Sequence, residues 1–377
     1  MSDFEIRNRY FDALVNTAGL RWMGQNTNHI KLPDAVRQAL LDSIDSDEFR
    51  AYAPPLGFEE LRTGIVADLG LEDQIAMVTD GGVEALYHVC HTFLKPGDRF
   101  VTTDPGWKWP PAFARNIGAE VVEIPIYGPE FGYRLSPDQL AAAVDERTRI
   151  IYLVDPNNPL GTCVPADDLE RIAGIARDCK AILIHDCTYR HFAEGHTLAA
   201  RFYPEGTLTT YSFSKWLGLA GLRVGAVVGA AALVERLAAA PPNNLGSNVV
   251  SQRAAIAGLK IRHAWFPAVN ALQRSNQAKI KKAVEAIPGF HLPVYPSNGN
   301  FLVVECIEAG VRPEALVAAM QAHKILIRQG AYHTPRFGDR FIKISTTVPE
   351  AWADEFCALL PGLADQVRGK NEQAQLF

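Results

Sequence analysis

Residues 212–225 read Ser-Phe-Ser-Lys-Trp-Leu-Gly-Leu-Ala-Gly-Leu-Arg-Val-Gly, and the reading of the whole chain turns on them. The run before them, 208–213 (LTTYSF), has the composition of a strand; glycines break the next segment, and a second apolar run follows at 224–228. Lys215 is therefore expected at the C-terminal edge of a strand, among hydroxyl side chains, with Arg223 eight positions further on. A lysine in that setting can hold an aldehyde as an imine. On position alone it is one of 37 Lys and Arg residues, most of which are simply solvated. The ends of the other strands lift it out of that background.

Apolar runs at 75–78, 99–103, 120–124, 150–154 and 181–184 alternate with helical patterns at 82–94, 137–143 and 167–179. Strand and helix in turn predict an α/β fold with a mostly parallel sheet. From 248 to about 286 the pattern is continuously helical and predicts a long helix pair leaving that sheet. A smaller α+β unit follows, with strands at 300–304, 325–328 and 341–345 and helices at 313–323 and 350–363. The expected division is an N-terminal segment (1–35) packing with the small unit, a large domain (36–270) and a C-terminal domain (271–377). The polar tail, 369–377, is expected to be mobile.

A chain of 377 residues that is 48% hydrophobic buries a large core and is expected to form two domains. Its net charge of −5, with both signs interspersed, offers no footprint for nucleic acid or an anionic membrane. No apolar run is long enough to span a bilayer, and residues 1–10 lack the apolar core of a signal peptide. A cytoplasmic location is the default expectation. The cysteines at 90, 163, 179, 187, 306 and 357 are scattered, as reduced thiols would be, and no disulfide is expected.

In an open parallel sheet ligands bind beyond the carboxyl ends of the strands, and those ends are polar here. After 75–78 come Gly81, Gly82 and Val83, where a helix begins at once and backbone amides can approach a phosphate. Residues 104–107 (DPGW) set Trp107 at the sheet edge, where it could stack on a flat ring or serve as core. Residues 155–161 (DPNNPLG) form a proline-bracketed turn carrying Asn158. Asp186 ends a buried run, where a lone carboxylate is costly and calls for a cationic partner; Tyr189 stands three residues on. His185, Cys187 and His191 could suggest a metal, but strand alternation sends the first two away from Asp186 and no fourth ligand follows in register. His88 and His91, one helical turn apart, read as a helix-surface pair, and no metal is expected.

These motifs together resemble the fold type I pyridoxal-phosphate-dependent aminotransferases (aspartate aminotransferase superfamily, class I/II), nearest in pattern to histidinol-phosphate aminotransferases. The resemblance covers nearly the whole chain, from Asn26 to the helix after Pro349. It implies a seven-stranded-type sheet flanked by helices, pyridoxal 5'-phosphate as cofactor, and an imine to that cofactor at Lys215. It also implies phosphate contacts from Gly81, Gly82, Val83, Ser212, Ser214 and Arg223, with Trp107 on the ring. Asp186 would meet the ring nitrogen, while Asn158 and Tyr189 would meet the phenolic oxygen. The catalytic set is then Lys215, Asp186 and Tyr189. Tyr52, in the pattern Tyr-x-x-Pro-x-Gly at 52–57, would reach the phosphate of a neighbouring subunit, which implies a homodimer.

The implied reaction moves an amino group between an amino acid and a 2-oxo acid. The same residues also serve decarboxylases, lyases, cyclases and oxidases, and a non-enzymatic binding module on this fold is a third reading. Two departures stand out: Asp155 and Leu160 replace Asn and Thr of the family turn, and Lys343 stands where most relatives place a carboxylate-gripping arginine. Either Lys343 holds the carboxylate, or Arg336 or Arg340 takes over, or the substrate is presented differently. Arg328 matches a position used for a distal phosphate, or else is a surface arginine closing a strand. Asn26, Asn28 and Asn300 are candidate pocket residues, and Tyr332 and His333 could add specificity.

Overall fold

The computed structural model describes residues 2–239 and 244–370, so residues 371–377 of the tail expected to be mobile lie outside the described residues. In chain order the strands are β1 (Arg21–Trp22), β2 (Ile75–Thr79), β3 (Arg99–Asp104), β4 (Glu120–Pro125), β5 (Thr148–Val154), β6 (Ile182–Asp186), β7 (Thr207–Ser212), β8 (Gly225–Gly229), β9 (Phe301–Glu305), β10 (Ile325–Leu326), β11 (Arg328–Gln329) and β12 (Phe341–Ser345). Seven of them form one mixed sheet in the order β2-β8-β7-β6-β5-β3-β4. β8 is antiparallel to both of its neighbours and the remaining pairs are parallel. The other six strands therefore point the same way, and their carboxyl ends share one edge.

Burial on both faces explains why these strands read as unbroken apolar runs. On β5, Ile150, Tyr152 and Val154 enter one core together with Phe100, Ile184 and Leu208. Ile151 and Leu153 enter the opposite core with Val101 and Leu183. The flanking helices start where local chemistry allows: Ser136 caps Pro137–Ala143, its hydroxyl accepting from the Gln139 amide at 3.2 Å.

The helix pair expected after residue 248 is a single helix, Val249–Glu285, of 37 residues. Pro267 lies inside it, and a proline there removes one ladder bond and crowds the preceding turn. Packing on both sides of the proline holds the helix together. Phe266 and Val269 sit in the core of the seven-stranded sheet, and Ile280 and Val284 sit in the C-terminal core. The boundary expected at 270/271 thus falls within a continuous helix rather than a loop.

The C-terminal sheet is antiparallel, in the order β11-β12-β9. The run expected as one strand at 325–328 divides there, because β10 pairs instead with β1 from the N-terminal segment. Asn276 and Gln277 of the long helix clamp this sheet's approaches, donating to the carbonyls of Thr346, Val348, Ser297 and Gly299.

Behind the strand ends, Asp68 gathers four partners. Its Oδ2 accepts from Tyr211 Oη at 2.8 Å and lies 3.1 Å from His191 Nε2 and 3.2 Å from Arg190, while Oδ1 meets Arg262. Burial pushes His191 down to about 4, so the imidazole is neutral in the fold. The unfolded chain binds a proton there below the ordinary value of 6.5, so this group's contribution to stability falls as pH drops from 6.5 towards 4. Asp68→Ala would strand Arg190 and Arg262 without their shared anion, and a loss of about 3–5 kcal/mol is expected, read as a lower urea midpoint.

Candidate active site

The carboxyl edge of the large sheet faces the C-terminal sheet across a cavity of about 290 Å³. Asp186, at the end of β6, is buried at its floor. Its Oδ1 accepts from the Thr188 amide (3.2 Å), Thr188 Oγ1 (2.7 Å) and Thr210 Oγ1 (2.9 Å). Its Oδ2 accepts from Tyr152 Oη at 2.8 Å. Burial and the Asp186 charge hold the Tyr152 phenol far above its ordinary range, so it remains a donor. Oδ2 thus has one donor against three on Oδ1, which leaves capacity on Oδ2. Among the described residues no cationic side chain forms an ion pair with Asp186, so the partner expected for it would have to come from a ligand.

Lys215 lies just past β7, and its Nζ donates to the Gln25 carbonyl at 2.9 Å. Burial, helped by the Arg223 charge, lowers its amine to about 8, while Asp186 pulls the other way. Tyr189 Oη accepts from Asn26 Nδ2 at 3.0 Å, and its ring stands edge-on to Phe301 at 5.0 Å. Asn158 also lines the cavity, its Oδ1 accepting from Lys343 Nζ at 3.3 Å. Trp107 is in the lining as well.

The start of helix Gly82–Phe93 forms one corner. Gly81 caps it at φ 86°, and a Cβ there would lie 2.5 Å from the Arg223 guanidinium. A Cβ at Gly225 would lie 2.7 Å from the Gly82 nitrogen, so β8 can pass this helix start only as glycine. Gly82, Val83, Ser212, Ser214 and Arg223 line the corner. Arg223 itself adopts φ 52° and donates to the carbonyls of Ala220 (2.7 Å) and Asp80 (3.3 Å), which aims its fork across the helix start.

The opposite wall comes from the C-terminal sheet. Lys343 and Arg328 are register partners on β12 and β11 and are both buried. Burial and the nearby Arg328 and Lys215 charges push the Lys343 amine well below its ordinary range. Arg328 lies over the Tyr332 ring at 4.5 Å and the Phe11 ring at 5.6 Å. Arg336 and Arg340 do not line the cavity; they pair with Asp104 (3.6 Å) and Glu305 (3.0 Å).

Some sequence candidates lie elsewhere. Asn28 is buried and donates to the Trp216 carbonyl, and Asn300 donates to the Asn26 carbonyl and Thr347; neither lines the cavity. Asn300 instead supports the loop that carries Asn26. Tyr52 is 79% exposed and outside this chain's cavity. Sequence reasoning missed Tyr152, Thr188, Thr210, Gln25 and Phe11. Tyr152 alone carried a signal, a phenol in an otherwise aliphatic strand.

Of the other histidines, His191 joins Asp68, while His185 and Cys187 approach His196 to within 4.8 Å. His185 Nδ1 accepts from the Ala199 amide at 3.1 Å, which leaves its proton on Nε2, 3.3 Å from Asp155. His196 Nε2 also lies 3.2 Å from that carboxylate. Asp155, one of the departures in the family turn, therefore ties that turn to β6 by hydrogen bonds. His91 stacks on Tyr87 and His88 is buried beside Glu84, so these two do not act as a pair.

A lysine held near 8 is distinguishable from solvated ones. Reductive methylation of the cofactor-free protein with labelled formaldehyde, followed by NMR against pH, should show a Lys215 resonance with a midpoint of about 8, absent in Lys215→Ala.

A family model described as aminotransferase class I and II matches residues 20–360. A histidinol-phosphate aminotransferase of Mesorhizobium japonicum is 30% identical over 374 residues, 95% of this chain and 93% of that one. An aspartate/prephenate aminotransferase of Thermus thermophilus is 28% identical over 309 residues, 80% and 78% of the two chains. Among solved structures, the N-succinyldiaminopimelate aminotransferase of Mycobacterium tuberculosis superposes with a TM-score of 0.84 at 24% identity, covering 94% of this chain and 96% of that one. Sequence, fold and strand-end geometry agree: the chain belongs to the aminotransferase class I and II family, fold type I enzymes that perform transamination with pyridoxal 5'-phosphate.

Proposed function

We propose that Lys215 is the amine that holds the cofactor and that carries the proton in transfer between an amino acid and a 2-oxo acid. The observation that carries this reading is Lys215 itself. It is a half-buried lysine whose amine is lowered to about 8, hydrogen-bonded to a backbone carbonyl and lining the same cavity as a buried carboxylate. An amine near 8 both gives and takes a proton close to neutral pH. Bound pyridoxal phosphate supplies the exchangeable aldehyde and a ring that accepts electrons.

The residues present fit that group. The spare capacity on Asp186 Oδ2 suits a ring N–H, and four neutral donors fix the carboxylate without forming an ion pair with it. The close-packed glycines leave the amides of Gly82 and Val83 open to a phosphate, joined by Ser212, Ser214 and the Arg223 fork. Asn158 and Tyr189 would orient the phenolic oxygen, and Trp107 would cover the ring. Asn26 fixes the Tyr189 hydroxyl, so it acts on the site through that residue.

Lys343 would meet the substrate α-carboxylate, and Arg328 beside it would face the rest of the substrate. The ion pairs that occupy Arg336 and Arg340 elsewhere support this choice. A homodimer with shared sites is supported by exposed Phe49, Tyr52 and Leu245. The last two lie in adjoining segments, since a Cβ at Gly246 would touch the Ala53 and Pro54 carbonyls. Tyr52 would then serve the site of a second subunit. No helix among the described residues is long and apolar enough to cross a membrane. The free cysteines support work in the reducing cytoplasm.

Borohydride treatment of the purified yellow protein should fix the cofactor on Lys215, identified by peptide mass; a colourless protein unaffected by Lys215→Ala would refute the assignment. Single-turnover mixing with amino acids should yield pyridoxamine phosphate and a 2-oxo acid. Lys343→Met should raise KM for the amino acid by about 10- to 100-fold, as loss of a charge-assisted bond predicts, with Lys343→Arg recovering part of it.

A further inference from the structure

One peptide group joins the two sheets that wall the cavity. The Asn26 amide donates to Ser345 Oγ, at the end of β12, at 2.8 Å. The carbonyl of the same peptide, that of Gln25, accepts from Lys215 Nζ at 2.9 Å. This peptide is trans, so its N–H and C=O point in opposite directions, and the hydroxyl that holds one end aims the other. Asn26 takes φ 55°, a left-handed backbone that asparagine tolerates better than most side chains.

The same hydroxyl orders the Asn26 side chain. Having accepted from the Asn26 amide, Ser345 Oγ donates its own hydrogen to Asn26 Oδ1 at 3.4 Å. With Oδ1 placed there, Nδ2 faces the other way and donates to Tyr189 Oη at 3.0 Å. Asn300 Nδ2 donates to the Asn26 carbonyl at 2.9 Å. Each polar atom of Asn26 is therefore bonded, and the residue is 1% exposed.

The consequence falls on Tyr189. Its oxygen accepts from Asn26, and among the described residues nothing accepts its hydrogen. Burial first, and then the nearby Asp186 charge and Tyr332, hold the phenol well above its ordinary range against the Asn26 bond, so the hydrogen stays in place. Tyr189 lines the cavity, where that hydrogen can meet a ligand. Accepting one bond also polarises a hydroxyl and strengthens the bond it donates.

We propose that Asn26, ordered by Ser345, is a positioning residue for two groups: it leaves the Tyr189 hydrogen free to meet the phenolic oxygen of the cofactor, and it turns the Gln25 carbonyl to the Lys215 amine. The first contact rests on the transaminase reading above; the second needs only this chain.

Two variants separate the contacts. Asn26→Gly keeps the left-handed backbone and the amide bond to Ser345 but removes the donor to Tyr189. Ser345→Ala removes the hydroxyl that orders both. In the cofactor-free protein, NMR of methylated Lys215 against pH reads the carbonyl contact. A carbonyl acceptor favours the charged amine, so Ser345→Ala should lower the Lys215 midpoint by about half a pH unit, while Asn26→Gly leaves it in place. Arg223, Asp186 and Arg328 also act on this amine, and neither variant alters them. In the holoenzyme, the pH midpoint of the cofactor's absorbance reads the phenol contact. A donor on the phenolic oxygen favours the deprotonated form, so both variants should raise that midpoint by about half a pH unit. Combined with Tyr189→Phe, which has no hydroxyl to orient, Asn26→Gly should shift nothing further. An unchanged Lys215 midpoint in Ser345→Ala, an unchanged cofactor midpoint in Asn26→Gly, or an Asn26→Gly shift that survives in full beside Tyr189→Phe would each overturn the proposal. The Lys215 measurement uses no cofactor, so failure here is separable from failure of the transaminase reading, which the borohydride test decides.

Discussion

A carboxylate buried at the end of a central strand is the constraint on which the rest of this structure depends. Asp186 is held in place because Tyr152 from β5, Thr210 from β7 and Thr188 from its own turn all donate to it. Those donors converge only if the parallel strands lie in register, with Val154 opposite Asp186 and Asp186 opposite Thr210. The donors are neutral, so they satisfy the oxygens without forming an ion pair. What remains is a carboxylate at the floor of a cavity whose other walls carry Arg223, Arg328 and Lys343.

Lys215 and Lys343 show how strongly burial governs such a site. Both are lysines with lowered amines, and in both desolvation is the leading cause. Lys215 lies near Asp186 as well as Arg223, and these opposing charges leave it near 8. Lys343 has no opposing carboxylate among its influences and faces Arg328 directly across the strand pair. A substrate carboxylate would restore its charge. An arginine in the same place would stay charged regardless, so lysine makes anion binding depend on protonation in a way that arginine would not.

The two walls of the cavity come from different sheets, and their spacing depends on the helix Val249–Glu285 that joins them. Its proline is tolerated because the helix is anchored in both cores, and its buried amides tie the backbone on the C-terminal side. Glu305 adds a second tie, accepting from Tyr127 of the large unit and from Arg340. The same bond withdraws Arg340 from the cavity.

Much of this was legible in the chain alone. Period and run length identify the strands and helices, and a polar residue at the end of an apolar run marks the edge where ligands bind, which is how Lys215, Asp186 and Asn158 stand out. Those are local signals, set by backbone sterics and by the cost of burying charge. The direction of a side chain within a loop is not local. Asn28 and Asn300 read as pocket residues yet turn to backbone carbonyls, while Tyr152 and Thr210 sit within strands and reach Asp186 only through its neighbours' register. One helix replaced an expected pair because cores distant in sequence grip both of its ends. Those local signals are enough for the fold class and for singling out Lys215 and Lys343. Tertiary structure alone decided what surrounds them, since the partners of a buried charge are set by which segments pack together rather than by which are adjacent in the chain.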